Sequence, residues 1–193
     1  MFPAPFKVVL DACTLFPFTV RDTLLRAAQA GFYQLHWTEE ILEEARRNLV
    51  AKIPLSEEQA ERLLGAMRRA FPQADVIGYR ELIPAAKNDP KDQHVVAAAL
   101  KAGADLVVTF NVKDFFEMPA GIDVQSPDSF LSNLFDLDRD AMIRLLADQA
   151  AAMKKPPVSL DNLLLALSKL VPEFAKMVVD EREARRVSDA PLR

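Results

Sequence analysis

The sequence predicts an α/β fold with a short parallel central sheet and a C-terminal helical extension, on three observations. Short apolar runs alternate with amphipathic helical patterns, the chain order that generates strand–helix–strand units. The runs are too brief for helices and lack polar alternation, as strands buried on both faces do. From Asp136 nearly to the tail the pattern is helical, interrupted by Pro156-Pro157 and Pro172. The 193 residues are 50% hydrophobic and 27% charged. That excludes a disordered chain, and the length suits one domain with an appendage.

Lys7 to Leu10 is an apolar run followed by Asp11, so the first expected strand delivers a carboxylate at its C-terminal end. Pro17 breaks the chain, and Asp22 to Ala30 reads as a helix closed by Gly31, a residue suited to the left-handed position after a helix. Thr38 is the N-cap of a helix whose Ile41, Leu42, Ala45 and Leu49 share a face and which ends before Pro54. Ser56 to Glu58 opens an amphipathic helix running to about Phe71, and Asp75 to Ile83 follows as the second expected strand. Asp89-Pro90 joins a favoured N-cap to proline at the first helical position, which predicts a helix to Gly103. Leu106 to Phe110 and Ile122 to Gln125 complete the strands. Helical patterns then cover Asp136 to Met153, Ser159 to Leu170 and Pro172 to Arg186.

Cys13 is the single cysteine, so no intrachain disulfide forms, and with His36 and His94 it makes no closed zinc site. A reducing cytoplasm is the expected compartment. Met1 to Lys7 has two prolines and no signal-like apolar run, and no stretch approaches the ~20 apolar residues of a spanning helix. Neither secretion nor a membrane is expected. The net charge of -4 argues against binding nucleic acid through a global basic field, while leaving a local site open.

In a parallel sheet, residues leaving the strands at their carboxyl ends converge, and ligands bind there. Here these are Asp11, Thr109, Asn111 and Asp114. Asp11 also has a structural reading, accepting N–H groups of its own loop, and Asp114 can cap the turn at Phe115-Phe116. Asp92 shares a helical stripe with Val96, Ala99 and Gly103, the buried side, where an acid needs a partner. Asp89 and Asp92 can satisfy this as a capping-box-like pair at the positive helix end. Alternatively Asp92 points past the helix start toward Asp11, and a divalent cation relieves the repulsion. Oxygen-only ligands of this kind suit Mg2+ or Mn2+ rather than zinc. Of the four glutamates between Thr38 and Leu49, Glu40 and Glu43 are expected to face water. Glu39 and Glu44 flank the apolar stripe at similar angles, so periodicity leaves both open as an inward ligand. Cys13 has no identifiable base and reads as a small buried residue. His36 and His94 read as ordinary polar residues.

Four segments in this order resemble the PIN-domain nucleases, particularly the bacterial VapC-like toxin group: Val9 to Leu15, Thr38 to Glu44, Asp89 to Asp92 and Val107 to Phe115. The resemblance covers about the first 130 residues. It implies a PIN-like α/β/α sandwich, with Asp11, Glu44 and Asp92 as acidic metal ligands, which separates Glu44 from Glu39. It further implies Mg2+- or Mn2+-dependent cleavage of RNA phosphodiester bonds by the toxin of a toxin–antitoxin pair, with metal activating water and the carboxylates holding metal. Asn111 departs from the family pattern, where many relatives carry Asp. It supplies a neutral oxygen, and Asp114 or Asp89 are the candidates for the missing charge. On this reading residues 1–134 form the nuclease domain and residues 135–193 the helical extension. Apolar stripes such as Leu163, Leu164, Leu167 and Leu170 suit association, so RNA, an antitoxin protein and further copies of the chain are the expected partners. Asp11 to Thr14 also resembles the nucleophile loop of haloacid-dehalogenase-like phosphatases, although Cys13 stands where those usually place a second Asp. A PIN-like scaffold binding RNA or protein with little catalysis is the non-enzymatic alternative.

Overall fold

In the computed structural model, which describes residues 6–53, 55–154 and 156–188, the apolar run Lys7–Leu10 is strand β1, with Val8, Val9 and Leu10 fully buried. Three strands run parallel to it in one sheet: β2 (Gln34–His36), β3 (Leu106–Val108) and β4 (Asp123–Gln125), in the order β2-β1-β3-β4. Val9 lies opposite His36 on one side and Val107 on the other. Between β1 and β2 run α1 (Ala12–Leu15) and α2 (Phe18–Gln29); between β2 and β3 run α3 (Glu39–Lys52), α4 (Glu57–Ala70) and α5 (Gln93–Ala102). The chain crosses the sheet in one direction from β1 to β2 and in the other from β2 to β3. Right-handed crossovers then put the two helix sets on opposite faces. The result is the expected PIN-like α/β/α sandwich, and the two directions diverge between β1 and β3, where such sheets open a crevice at their strand ends.

Several elements differ from expectation. The second strand is Gln34–His36, where only Leu35 is buried; parallel pairing to β1, not an apolar run, holds it. Residues 75–83 form no strand. Asp75 makes one parallel bridge to Trp37, Gly78 adopts φ +69, and a 3-10 turn follows at Arg80–Ala85. The helix after Asp89-Pro90 begins at Gln93 with Asp92 at its N-cap. Asp89 instead closes a turn, its carbonyl accepting from the Asp92 N–H at 2.9 Å and its side chain from the Lys91 N–H at 3.1 Å. Asp92 makes no side-chain cap bond, so the expected capping-box pair does not form. Also, α2 begins at Phe18, directly after Pro17, rather than at Asp22.

After β4 come α6 (Pro127–Leu137), α7 (Arg139–Ala152), α8 (Leu160–Leu167) and α9 (Pro172–Ser188). Ser126 caps α6 by accepting from the Ser129 N–H at 3.1 Å. The expected division between residues 134 and 135 falls inside this helix, where Phe130, Leu131, Leu134 and Phe135 are buried. Leu163, Leu164 and Leu167 of the expected associating stripe are buried in the same core as Val20 and Leu24, whereas Leu170 is exposed. Polar bonds reinforce the junction: Thr23 Oγ1 donates to Gln149 Oε1 at 2.8 Å, and Gln149 Nε2 to the Thr19 carbonyl at 3.1 Å. Among the described residues, no helix is long and apolar enough to cross a membrane. Met1 to Pro5, part of the start expected to lack a targeting signal, and Pro54, expected to follow α3, lie outside the described residues.

Candidate active site

Asp11 leaves β1 as the N-cap residue of α1 and is almost completely buried. Its backbone N–H still belongs to the sheet, donating to the Val108 carbonyl at 3.1 Å. Its side chain does not cap the following loop. Instead Oδ2 accepts from Thr109 Oγ1 at 2.7 Å and from Cys13 Sγ at 3.0 Å. Thr109 is fully buried at the end of β3, so both strands that flank the crevice fix this carboxylate. Burial, followed by the Asp11 charge, pushes the Cys13 thiol up to about 12. The thiol is therefore a proton donor and not a thiolate nucleophile.

Asp11 lines a cleft of about 560 Å3 together with Glu40, Glu44, Asp92, Lys91, His94 and Asn111; Cys13, Arg47, Asn48 and Ala51 complete its wall. The structure thus separates Glu44, which faces the cleft, from Glu39, which is 88% exposed beside Arg68. Burial and then the Asp11 charge raise the Glu44 pKa, while the imidazole of His94, with Nε2 3.8 Å from Glu44 Oε2, opposes them. Asp92 is pushed up from its ordinary 3.8 to about 6, first by burial and then by Asp11, with Lys91 opposing. Its Oδ2 is buried without a hydrogen-bond partner. Each of these two acids is harder to ionise than an ordinary carboxyl, first because it is buried and then because Asp11 lies nearby.

Asn111 reaches the cleft on the loop after β3, where its backbone N–H donates to Thr109 Oγ1 at 3.0 Å. Asp114 does not line the cleft; it binds the Lys91 ammonium at 3.0 Å. Glu40, expected to face water, is half-buried, lines the cleft and accepts from the Tyr79 hydroxyl at 2.7 Å. Its neighbours show the signal that periodicity on apolar residues missed. Glu40, Glu44, Arg47 and Asn48 recur at helical spacing and form a polar stripe of α3 along the cleft. His94, buried with Nδ1 unpartnered, and Lys91 had no comparable signal. Among the described residues, no group of three or more His, Cys, Asp and Glu side chains forms a ready-made metal cage.

A doubly wound α/β protein whose acidic cleft opens at the divergence of β1 and β3 is the class that fold and site define. The chain belongs to the PIN domain family, which residues 7–113 match. Residues 127–180 match the family described as the VapC50 C-terminal domain. Over 105 residues the chain is 38% identical to the Mycobacterium tuberculosis protein named "Putative ribonuclease VapC50", a match spanning 53% of this chain and 62% of that relative.

Proposed function

We propose that this chain is a Mg2+- or Mn2+-dependent endoribonuclease that cleaves RNA phosphodiester bonds in the cytoplasm as the toxin of a toxin–antitoxin pair. The reading rests on the grouping of Asp11, Glu44 and Asp92 in one cleft at the ends of β1 and β3, in a chain of the PIN family. The ribonuclease name of its relative favours RNA as the substrate.

The donor set fits a hard cation. Its members are carboxylates, burial and then the Asp11 charge make ionisation of the other two costlier, and Asp92 Oδ2 is buried with no hydrogen-bond partner. A divalent ion relieves this kind of repulsion. Asp11, Glu44 and Asp92, which line the one cleft, would hold it. Such an ion, when bound, lowers the pKa of a coordinated water and offsets charge on the phosphate. Thr109 and Cys13 fix the Asp11 carboxylate through Oδ2, and Oδ1 would be the oxygen available to the ion. Arg47 at the cleft wall gives the substrate backbone a cation among acids, a contact that positions RNA without reading sequence. Asn111, which lines the same cleft, would add a neutral oxygen to the charged set. The nuclease chemistry is assigned to residues 1–134, and association with an antitoxin or a second copy to the helices of residues 135–193.

The test is cleavage of RNA by the purified full-length protein. Internal cuts should require Mn2+ or Mg2+, cease with EDTA and disappear in Asp11→Asn. Cleavage that survives both treatments overturns the reading.

A further inference from the structure

The Lys91 ammonium sits among three carboxylates: Asp114 at 3.0 Å, Asp92 at 3.9 Å and Asp89 at 4.0 Å. We propose that Lys91 is a built-in cation occupying the second-ion half of the cleft, so that this chain binds a single divalent ion, held by Asp11, Glu44 and Asp92. The inference rests on the metal-dependent reading above and extends it to ion number and to the group that replaces the missing ion.

Three observations carry it. Lys91 lines the cleft beside Asp92, and its nearest contact there is Oδ2, the buried oxygen that lacks a hydrogen bond. The turn that presents it is fixed by the Asp89 side chain accepting from the Lys91 N–H at 3.1 Å. On the opposite loop, Asn111 is neutral and Asp114 is already committed to the ammonium. A two-ion site needs enough anionic ligands to clamp attacking and leaving oxygens with two dications. Here Asp89, Asp92 and Asp114 share one monovalent cation, which repels a second dication and keeps N–H donors beyond the one given to Asp114 for a phosphate oxygen. An alternative description, an ordinary surface ion pair, accounts for Asp114 but not for the lysine's place in the cleft.

Full-length protein, stripped of metal, is titrated with Mn2+ alone, bound ion being counted by electron paramagnetic resonance and affinity by calorimetry. Wild type and Lys91→Arg should each bind about one ion per chain, and Lys91→Gln about two, with its tighter site several-fold stronger, as expected when ligand charge is freed. Lys91 is 61% exposed, so the substitutions should fold, which circular dichroism checks. Two ions on wild type, or Lys91→Gln indistinguishable from wild type, overturns the proposal and leaves the metal-dependent reading standing. No bound Mn2+ on any of the three overturns that reading and the proposal together.

Discussion

Thr109 Oγ1 donates a 2.7 Å hydrogen bond to Asp11 Oδ2 across a separation of 98 residues. The bond ties the end of β3 to the end of β1 and gives the buried carboxylate a donor that water cannot replace. Thr109→Val should therefore lower Mn2+ affinity and cleavage by about 10–100-fold, as loss of a ligand's supporting partner does. Thr109→Ser should restore most of both. Equal impairment in the two variants, with wild-type Mn2+ affinity, would mean that Thr109 acts only through packing.

Glu44→Gln should reduce cleavage far more than Glu39→Gln. Glu44 lines the cleft within the field of Asp11, whereas Glu39 is exposed beside Arg68. Glu40→Gln should fall between them, because Glu40 lines the cleft but is held by Tyr79. Rate measurements at saturating Mn2+ and at low Mn2+ separate a ligand defect from a substrate defect.

Asp92 links stability and metal binding to pH. Its folded-state pKa is about 6 against an ordinary 3.8. Between those values the folded chain keeps a proton that the unfolded chain has released, so this group's contribution to stability falls as pH rises through the window and stays low above it. Asp92→Asn should raise the melting temperature of metal-free protein by a few degrees at neutral pH and much less toward the acidic end of that window. Mn2+ binding to wild type requires the proton's loss and should tighten as pH rises through about 6. A variant whose melting-temperature gain is the same at both pH values would rule out this assignment.

Phe174 is fully buried in α9 and meets Phe135 of α6 edge to face, with ring centroids 6.2 Å apart. Phe174→Ala should cost about 3–5 kcal/mol and lower a single cooperative transition, since the C-terminal helices share the core of the sheet. Two separated transitions in the variant would instead show that the helices melt by themselves.

Asn111→Asp should tighten Mn2+ binding by adding charge where Asn111 reaches the cleft. Calorimetry comparing the variant with wild type checks this. Unchanged affinity would place residue 111 outside the reach of the ion.

The sequence showed most clearly what continuous apolar runs and caps encode. Val8, Val9 and Leu10 announced β1 and put Asp11 at its end, and Thr38 and Ser56 cap helices as expected. It was blind to β2, because Gln34 and His36 are polar and only pairing with β1 makes them a strand. Asp89-Pro90 misled because a side-chain-closed turn and a helix start share the same residues; the turn pushes the helix back to Gln93 and leaves Asp92 uncapped at its mouth. Glu39 and Glu44 were inseparable by angle alone. Their difference comes from α3 lying against α1, so that only one flank meets the crevice. His94 and Lys91 gave no sign, since their role depends on neighbours distant in the chain.

The placement of β1 inside the sheet governs when the cleft can exist during synthesis. A ribosome that has finished β1 has made Asp11 but none of its supports: Thr109, Val108 and the α5 acid lie in chain not yet translated. Parallel pairing between strands so far apart closes late, because the loop entropy must be met before the contacts form. The nascent protein therefore carries its first acid without an assembled cleft across the 98 residues that separate it from Thr109, and the site comes together only once β3 has docked.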